Sequence, residues 1–182
     1  MKMFVTGGAG FIGSNLVDRL IEDHQVTVYD NLSSGQREFI KPHLNKAEFT
    51  FVNDDLLDFQ DLRTAMKGHD MVWHLAANPD IRAAIAKPST DLKQGIQATF
   101  NVLDSMRIND IDKIAFSSSS VVYGEAKTFP TPEDHCPPYL YPQNLQVLGR
   151  RPPSPPSPRL TFTFSPQFSF LSCGNINIPG NQ

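Results

Sequence analysis

From Met1 to about residue 116 the chain switches repeatedly between two hydrophobic periods. Lys2-Met3-Phe4-Val5-Thr6 is a short apolar run ending in glycines, the pattern of a buried strand. Phe11 to Ile21 follows helical spacing, with Ile12, Leu16 and Leu20 on one row and Val17 and Ile21 on the next. Val26-Thr27-Val28-Tyr29 is β-branched and aromatic and stops at Asp30-Asn31, which predicts a second strand. Phe49-Thr50-Phe51-Val52 predicts a third. Leu56 to Met66 reads as a helix with Leu62, Ala65 and Met66 inward, and Met71-Val72-Trp73-His74-Leu75 as a fourth strand. A longer helix is expected over Asp91 to Met106, with Ile96, Phe100, Leu103 and Met106 as its apolar positions. Ile111 to Phe116 predicts a fifth strand that runs into serines. Short parallel strands need crossover helices, so the alternation predicts an α/β fold, a parallel sheet with helices on both faces.

This pattern does not continue to the end. All 19 acidic residues lie at or before Asp134, no lysine follows Lys127, and the only formal charges beyond Asp134 are Arg150, Arg151 and Arg159. Most of the 15 prolines lie at or after Pro130. The run from Arg151 to Arg159 is too rich in proline for a helix or an inner strand, because proline lacks the backbone donor. The chain therefore has two regimes that meet near residue 135. Its net charge of −3 is too mild to attract nucleic acid or a membrane surface. No apolar run approaches the ~20 residues that span a bilayer. The first residues run straight into a glycine motif, so no signal peptide is expected. Cys136 and Cys173 form neither a disulfide framework nor a metal-ligand spacing, and no metal is expected; both thiols suit a reducing cytoplasm.

The motif with chemical content is Thr6-Gly7-Gly8-Ala9-Gly10-Phe11-Ile12-Gly13, set between a predicted strand and a predicted helix. Gly7 permits a tight turn, Gly10 allows a pyrophosphate to approach the backbone, and Gly13 lets the helix pack closely on the strand. The helix start then offers free N–H groups and a positive dipole to phosphates. Asp30, at the end of the second strand, can accept bonds from both ribose hydroxyls of an adenosine and would repel a 2′-phosphate, which favours NAD over NADP. Asp30 could equally serve as a turn residue before Asn31. Asp54-Asp55-Leu56 could meet the adenine edge, cap the next helix, or do both. His74 reads as a half-buried strand histidine without a catalytic role.

Four stretches in order carry a resemblance: Val5 to Ser14, Tyr29-Asp30-Asn31-Leu32-Ser33-Ser34-Gly35, Trp73 to Pro79, and Phe116 to Gly124. Together they resemble the extended short-chain dehydrogenase/reductase family, and within it the NAD-dependent epimerase/dehydratases of the UDP-glucose 4-epimerase type. The resemblance implies a Rossmann-type NAD-binding domain over 1–134, followed by an aberrant or disordered tail over 135–182 in which the substrate domain is absent. It implies that Gly7, Gly10, Phe11, Ile12 and Gly13 line the pyrophosphate, and that Asp30 and Asn31 hold the adenosine ribose. Asp55 and Leu56 would meet the adenine. Leu75, Ala76 and Ala77 would pass the pyrophosphate and nicotinamide ribose. The substrate implied is a nucleotide sugar, and relatives commonly pair as homodimers through helices that include the catalytic one. Where the family often has Asn followed by Gly-Thr, the long helix here has Gln94, Ala98 and Thr99.

Ser119 matches the family's active-site Ser/Thr, whose hydroxyl would bond the sugar oxygen being oxidised. In the family a Tyr-x-x-x-Lys pair on one helix face completes the set: the ammonium favours the phenolate, which acts as general base. Tyr123 and Lys127 have that spacing but lie too close to Ser119, beside Gly124 and prolines. Tyr139 and Tyr141 stand at about the place where the family's tyrosine is expected, and Leu140-Tyr141 resembles the lead into its helix, yet no lysine follows either. A reading-frame change near Tyr141 is one account of the tail, and a proline-rich extension is the other. Three functions follow as expectations: an NAD-dependent sugar-nucleotide epimerase whose catalytic lysine is missing from the chain as written; a non-catalytic NAD-binding module with a partner-docking tail; or a dehydratase or reductase of the same family.

Overall fold

The computed structural model describes residues 1–80, 87, 89–117 and 129–130. Met1–Phe116 forms one compact unit. Five strands, β1 (Lys2–Thr6), β2 (Gln25–Tyr29), β3 (Phe49–Val52), β4 (Met71–His74) and β5 (Ile114–Phe116), make one sheet in the order β3-β2-β1-β4-β5. All four neighbouring pairs are parallel. The chain lays down β1, β2 and β3 outward in one direction and then crosses back to place β4 on the other side of β1. The order thus reverses between β1 and β4, and open sheets of this kind bind ligands outside the carboxyl ends of the strands at that reversal.

The period-2 alternation sorts the strand residues between two faces. On one face Met3, Val5, Val26, Val28 and Phe49 form a core with Val17 and Ile21 from α1 (Phe11–Leu20) and its C-cap, and with Ile40 from α2 (Arg37–Ile40). The other face carries Phe4, Tyr29, Val72 and His74, all at most 1% exposed. Here the ring of Phe4 meets Tyr29 and, edge-on, His69, which follows α3 (Phe59–Met66). A π-helical segment, Leu92–Gln97, leads into α4 (Ala98–Ile108), which packs against α3 and bonds to His74 through Thr99. Helices cover both faces, as expected.

Several boundaries and faces differ from the periodic reading. Within the α1 stretch the buried positions are Gly13, Ser14 and Val17, with Ile21 just beyond, whereas Ile12 is exposed. The third helix starts at Phe59 rather than Leu56, because Asp58 is its N-cap and accepts from the Asp61 N–H at 3.4 Å. The largest difference is in the long helix. Of the apolar positions Ile96, Phe100, Leu103 and Met106, the first two are exposed and Met106 is buried, together with Ala98, Asn101, Val102 and Ser105. The π-helical segment shifts the angular phase of residues 92–97 relative to those after them, so a single helical period cannot describe both. Arg37–Ile40 was not foreseen. Among the described residues no helix is long and apolar enough to cross a membrane.

Candidate functional site

Because the strands are parallel, the carboxyl ends of β1, β2 and β4 lie along one edge of the sheet. At the end of β1, Gly7 takes φ +71°, a conformation that strains any residue with a Cβ. A Cβ there would also lie 2.7 Å from the Ala76 nitrogen, so the turn after β1 and the exit from β4 touch through bare backbone. Gly13, one turn into α1, faces the same turn. A Cβ at Gly13 would sit 2.2 Å from the Gly7 oxygen and 2.7 Å from Gly8 Cα. These two close approaches hold the start of α1 against the turn that ends β1.

Gly10 is the N-cap of α1; its N–H donates to the Gly7 carbonyl, and its own carbonyl accepts from the Ser14 N–H at 2.9 Å. No side chain caps the helix, and its first turn holds no acidic residue. The start of α1 therefore keeps its positive dipole and its backbone donors for an anion. Phe11 and Ile12, at that start, are 76% and 49% exposed.

Asp30, at the end of β2, is nearly buried and has a structural task. Its Oδ2 accepts from the Ala9 N–H at 3.0 Å, and its Oδ1 from the Leu32 N–H at 2.8 Å. One carboxylate thus ties the glycine turn to the segment after β2 and stabilises Leu32 at φ +59°. The turn reading and the ribose reading of Asp30 do not compete, since a carboxylate has about four acceptor sites and these bonds take two. Asn31 donates to Asp55 Oδ2 at 3.0 Å and accepts from the Ser33 N–H. Asp55 is further fixed by the Leu57 N–H on its Oδ1. Asp54 and Asp55 are not the N-cap; Asp58 takes that part. Burial, reinforced by Asp54 and more weakly by Asp61 and Asp58, raises the Tyr29 phenol well above its ordinary range; it stays protonated and donates to the Asp55 carbonyl. Leu56 is buried, and its carbonyl accepts from Asn101 Nδ2 at 2.8 Å, so α4 secures the loop that carries Asp55.

The exit from β4 is held just as tightly. The Leu75 N–H donates to the Thr6 carbonyl at 3.1 Å and the Ala76 N–H to Thr6 Oγ1 at 3.4 Å. Leu75 and Ala76 are half-buried and Ala77 is exposed. His74 is not half-buried as expected but 1% exposed, bonded to Thr6 and Thr99.

The structure thus brings Gly7, Asp30, Asn31, Asp55, Leu56, Leu75, Ala76 and Ala77 to the segments just after neighbouring strands, and Gly10, Phe11, Ile12 and Gly13 to the N-cap and first turn of α1 that follow β1. Ser119, Tyr123 and Tyr141 lie outside the described residues. Thr6, Thr99 and Asn101 were missed as supports of these loops. Their signal is a polar residue in an otherwise apolar inward row.

Known proteins share both this sequence and this fold. Residues 3–145 match the NAD dependent epimerase/dehydratase family. The chain is 43% identical over 136 residues to a putative UDP-glucose 4-epimerase of Methanocaldococcus jannaschii, covering 73% of this chain and 43% of that protein. It is 36% identical to the UDP-glucose 4-epimerase of Mycolicibacterium smegmatis, covering 74% and 44%. Among solved structures, the UDP-N-acetylglucosamine 4-epimerase of Methanobrevibacter ruminantium, in complex with UDP-N-acetylmuramic acid, superposes with a TM-score of 0.67 at 41% identity, covering 74% of this chain and 43% of that one. The UDP-glucose 4-epimerase of Brucella ovis, in complex with NAD, gives a TM-score of 0.62 at 30% identity, covering 70% and 38%. The chain spans less than half the length of these relatives. The family match takes in the whole strand-and-helix unit and more than half of the chain, and the chain belongs to the NAD dependent epimerase/dehydratase family.

Proposed function

We propose that this chain holds NAD across the reversal between β1 and β4, and that it is the cofactor-binding part of a UDP-sugar 4-epimerase. The observation that carries this reading is the uncapped start of α1, drawn onto the glycine turn and set beside the nearly buried carboxylate of Asp30. The residues present suit the dinucleotide. Backbone donors at Phe11, Ile12 and Gly13 face its pyrophosphate, Gly7 and Gly10 let it approach the backbone, and the remaining acceptor sites of Asp30, with Asn31, face its ribose. Asp55 and Leu56 meet its adenine, and Leu75, Ala76 and Ala77 leave room for its nicotinamide half. When bound, NAD supplies the reversible oxidation that inverting a sugar carbinol centre requires.

The hydroxyls we assign to the sugar are those of Ser119 and Tyr141. Four residues after Tyr141 stands Leu145, and four after Tyr139 stands Gln143. Neither is a lysine, so neither tyrosine has at that spacing the ammonium that would bring its phenol toward neutral pKa. The chain is therefore expected to bind NAD and to turn over a UDP-sugar poorly. Equilibrium titration with NAD and NADP, followed by an epimerisation assay on UDP-glucose and UDP-N-acetylglucosamine, tests this. NAD should bind more tightly than NADP. Asp30→Ala should weaken NAD by roughly 10- to 100-fold, the usual cost of losing a charged hydrogen-bond acceptor. Absence of NAD binding by the parent chain would refute the cofactor assignment. Brisk epimerisation would refute the argument from the missing lysine.

A further inference from the structure

Thr6 and His74 are register partners across the β1–β4 ladder, at the point where the strand order reverses. Both are buried. His74 Nδ1 lies 2.7 Å from Thr6 Oγ1, and His74 Nε2 lies 3.2 Å from Thr99 Oγ1. The ring also lies against Phe116, the last residue of β5, with centroids 5.5 Å apart. One side chain therefore touches β1, β5 and α4 while belonging to β4. Thr6 Oγ1 in turn receives the Ala76 N–H, and Ala76 is the residue whose backbone abuts Gly7.

We propose that His74 is a positioning residue for the cofactor crevice: through Thr6 it fixes the Ala76 amide, and with it the β4 exit, against the glycine turn. The proposal rests on the cofactor reading above for its consequence, though not for its geometry. A hydroxyl has one proton and two lone pairs. With one lone pair on the Ala76 N–H, the Thr6 side chain is held in place only if its hydroxyl has a second partner. His74 Nδ1 is that partner. Thr99, on Nε2, sets which way the ring faces. Burial pushes the His74 pKa down to about 4, so at neutral pH the ring is neutral; with its proton on Nε2 it donates to Thr99 Oγ1 and accepts the Thr6 hydroxyl proton on Nδ1, which leaves a Thr6 lone pair for the Ala76 N–H. A hydrocarbon side chain would fill the same volume without desolvating polar atoms. What the imidazole adds is orientation.

Three variants separate positioning from filling. His74→Asn retains an amide near the place of Nδ1, His74→Gln retains one near the place of Nε2, and His74→Leu retains neither. We expect the Ala76 amide to lose hydrogen-exchange protection in the Gln and Leu variants and to keep it in the Asn variant. NAD affinity should follow the same split, about tenfold weaker for Gln and Leu and within about threefold of the parent for Asn, as loss or retention of one buried hydrogen bond dictates. Urea midpoints need not follow that order, whereas a filling role predicts that affinity and exchange track stability alone. Equal exchange at Ala76 in all three variants would overturn the proposal. If the parent chain fails to bind NAD, the cofactor reading falls, and the exchange experiment still decides what His74 does. Should the His74 variants not fold, Thr6→Val and Thr6→Ser provide the same test from the other side. Val lacks the hydroxyl at nearly equal volume and should release Ala76, while Ser should hold it; equal protection in both would overturn the proposal.

Discussion

Replacing Gly13 and Gly95 by alanine makes the same change in two helical segments, and their surroundings give it opposite signs. Within a helix interior alanine is favoured over glycine by about 1 kcal/mol, because glycine loses more backbone entropy on ordering. At Gly95, in the π-helical segment, a Cβ would meet no atom within 4 Å, so the gain is expected nearly in full. At Gly13 the same Cβ would lie 2.2 Å from the Gly7 oxygen and 2.9 Å from the Gly7 carbonyl carbon. These are backbone atoms, and the Gly7 carbonyl already accepts from the Gly10 N–H at 3.1 Å. Restoring an ordinary contact of about 3.5 Å requires α1 to move off β1 by roughly 1 Å or the turn to break. Overpacking of this kind costs about 1–3 kcal/mol, and a contact with fixed backbone belongs at the upper end. After the helical gain is subtracted, Gly13→Ala should destabilise by about 1–2 kcal/mol. Urea unfolding followed by the fluorescence of Trp73, the single tryptophan, reads both variants. The urea midpoint should fall for Gly13→Ala and rise for Gly95→Ala at an unchanged m-value. A Gly13→Ala protein as stable as its parent would refute the close approach of α1 to the glycine turn. A destabilised Gly95→Ala protein would mean that another group covers that part of the helix.

Acid should weaken the fold in a defined window. His74 has a pKa of about 4 in the folded chain against 6.5 when unfolded, because burial disfavours its charged form. Between those values the unfolded chain binds a proton that the folded chain does not, so stability is full above pH 6.5 and falls as the pH drops toward 4. The ceiling is about 3 kcal/mol from this residue, and His69, also lowered by burial, adds to it with the same sign. Urea midpoints at pH 7, 5.5 and 4.5 measure the slope, which should flatten in His74→Leu; an unaltered slope would show that the ring titrates as it does in water. Asn101→Ala leaves the buried Leu56 carbonyl without its side-chain donor and should cost about 1–3 kcal/mol, with a further loss of NAD affinity through the Asp55 loop. Calorimetric titration beside an unfolding curve would separate the two effects, and unchanged values in both would refute the coupling of α4 to that loop.

Much of the fold is legible in the residues because parallel strands buried on both faces are written as short β-branched or aromatic runs. β1 and β3 fall where those runs lie, and β2, β4 and β5 differ from them only at their ends. The glycine turn is legible for a different reason: Gly7 at positive φ and Gly13 against bare backbone are positions where a Cβ does not fit, so their residue type reports local geometry directly. Asp30 is legible as the acidic residue that closes β2, though its bonds to Ala9 and Leu32 are not.

What the chain by itself determined, then, is whatever depends on a residue and its near neighbours: the strands, the alternation of strand and helix, the turn chemistry and the acidic end of β2. The tertiary structure decided what depends on partners distant in sequence. Ile96 and Phe100 are as apolar as any core residue, yet they are exposed, while Asn101 and Ser105 are buried, because α4 meets α3 and the β3 exit on its polar-containing side. His74 looks like a polar interruption of a strand and becomes a junction only when β1 and α4 bring Thr6 and Thr99 to its two nitrogens, 68 and 25 residues away in sequence. A hydrogen bond needs two groups at a fixed distance and angle, and periodicity along one segment records only one of them.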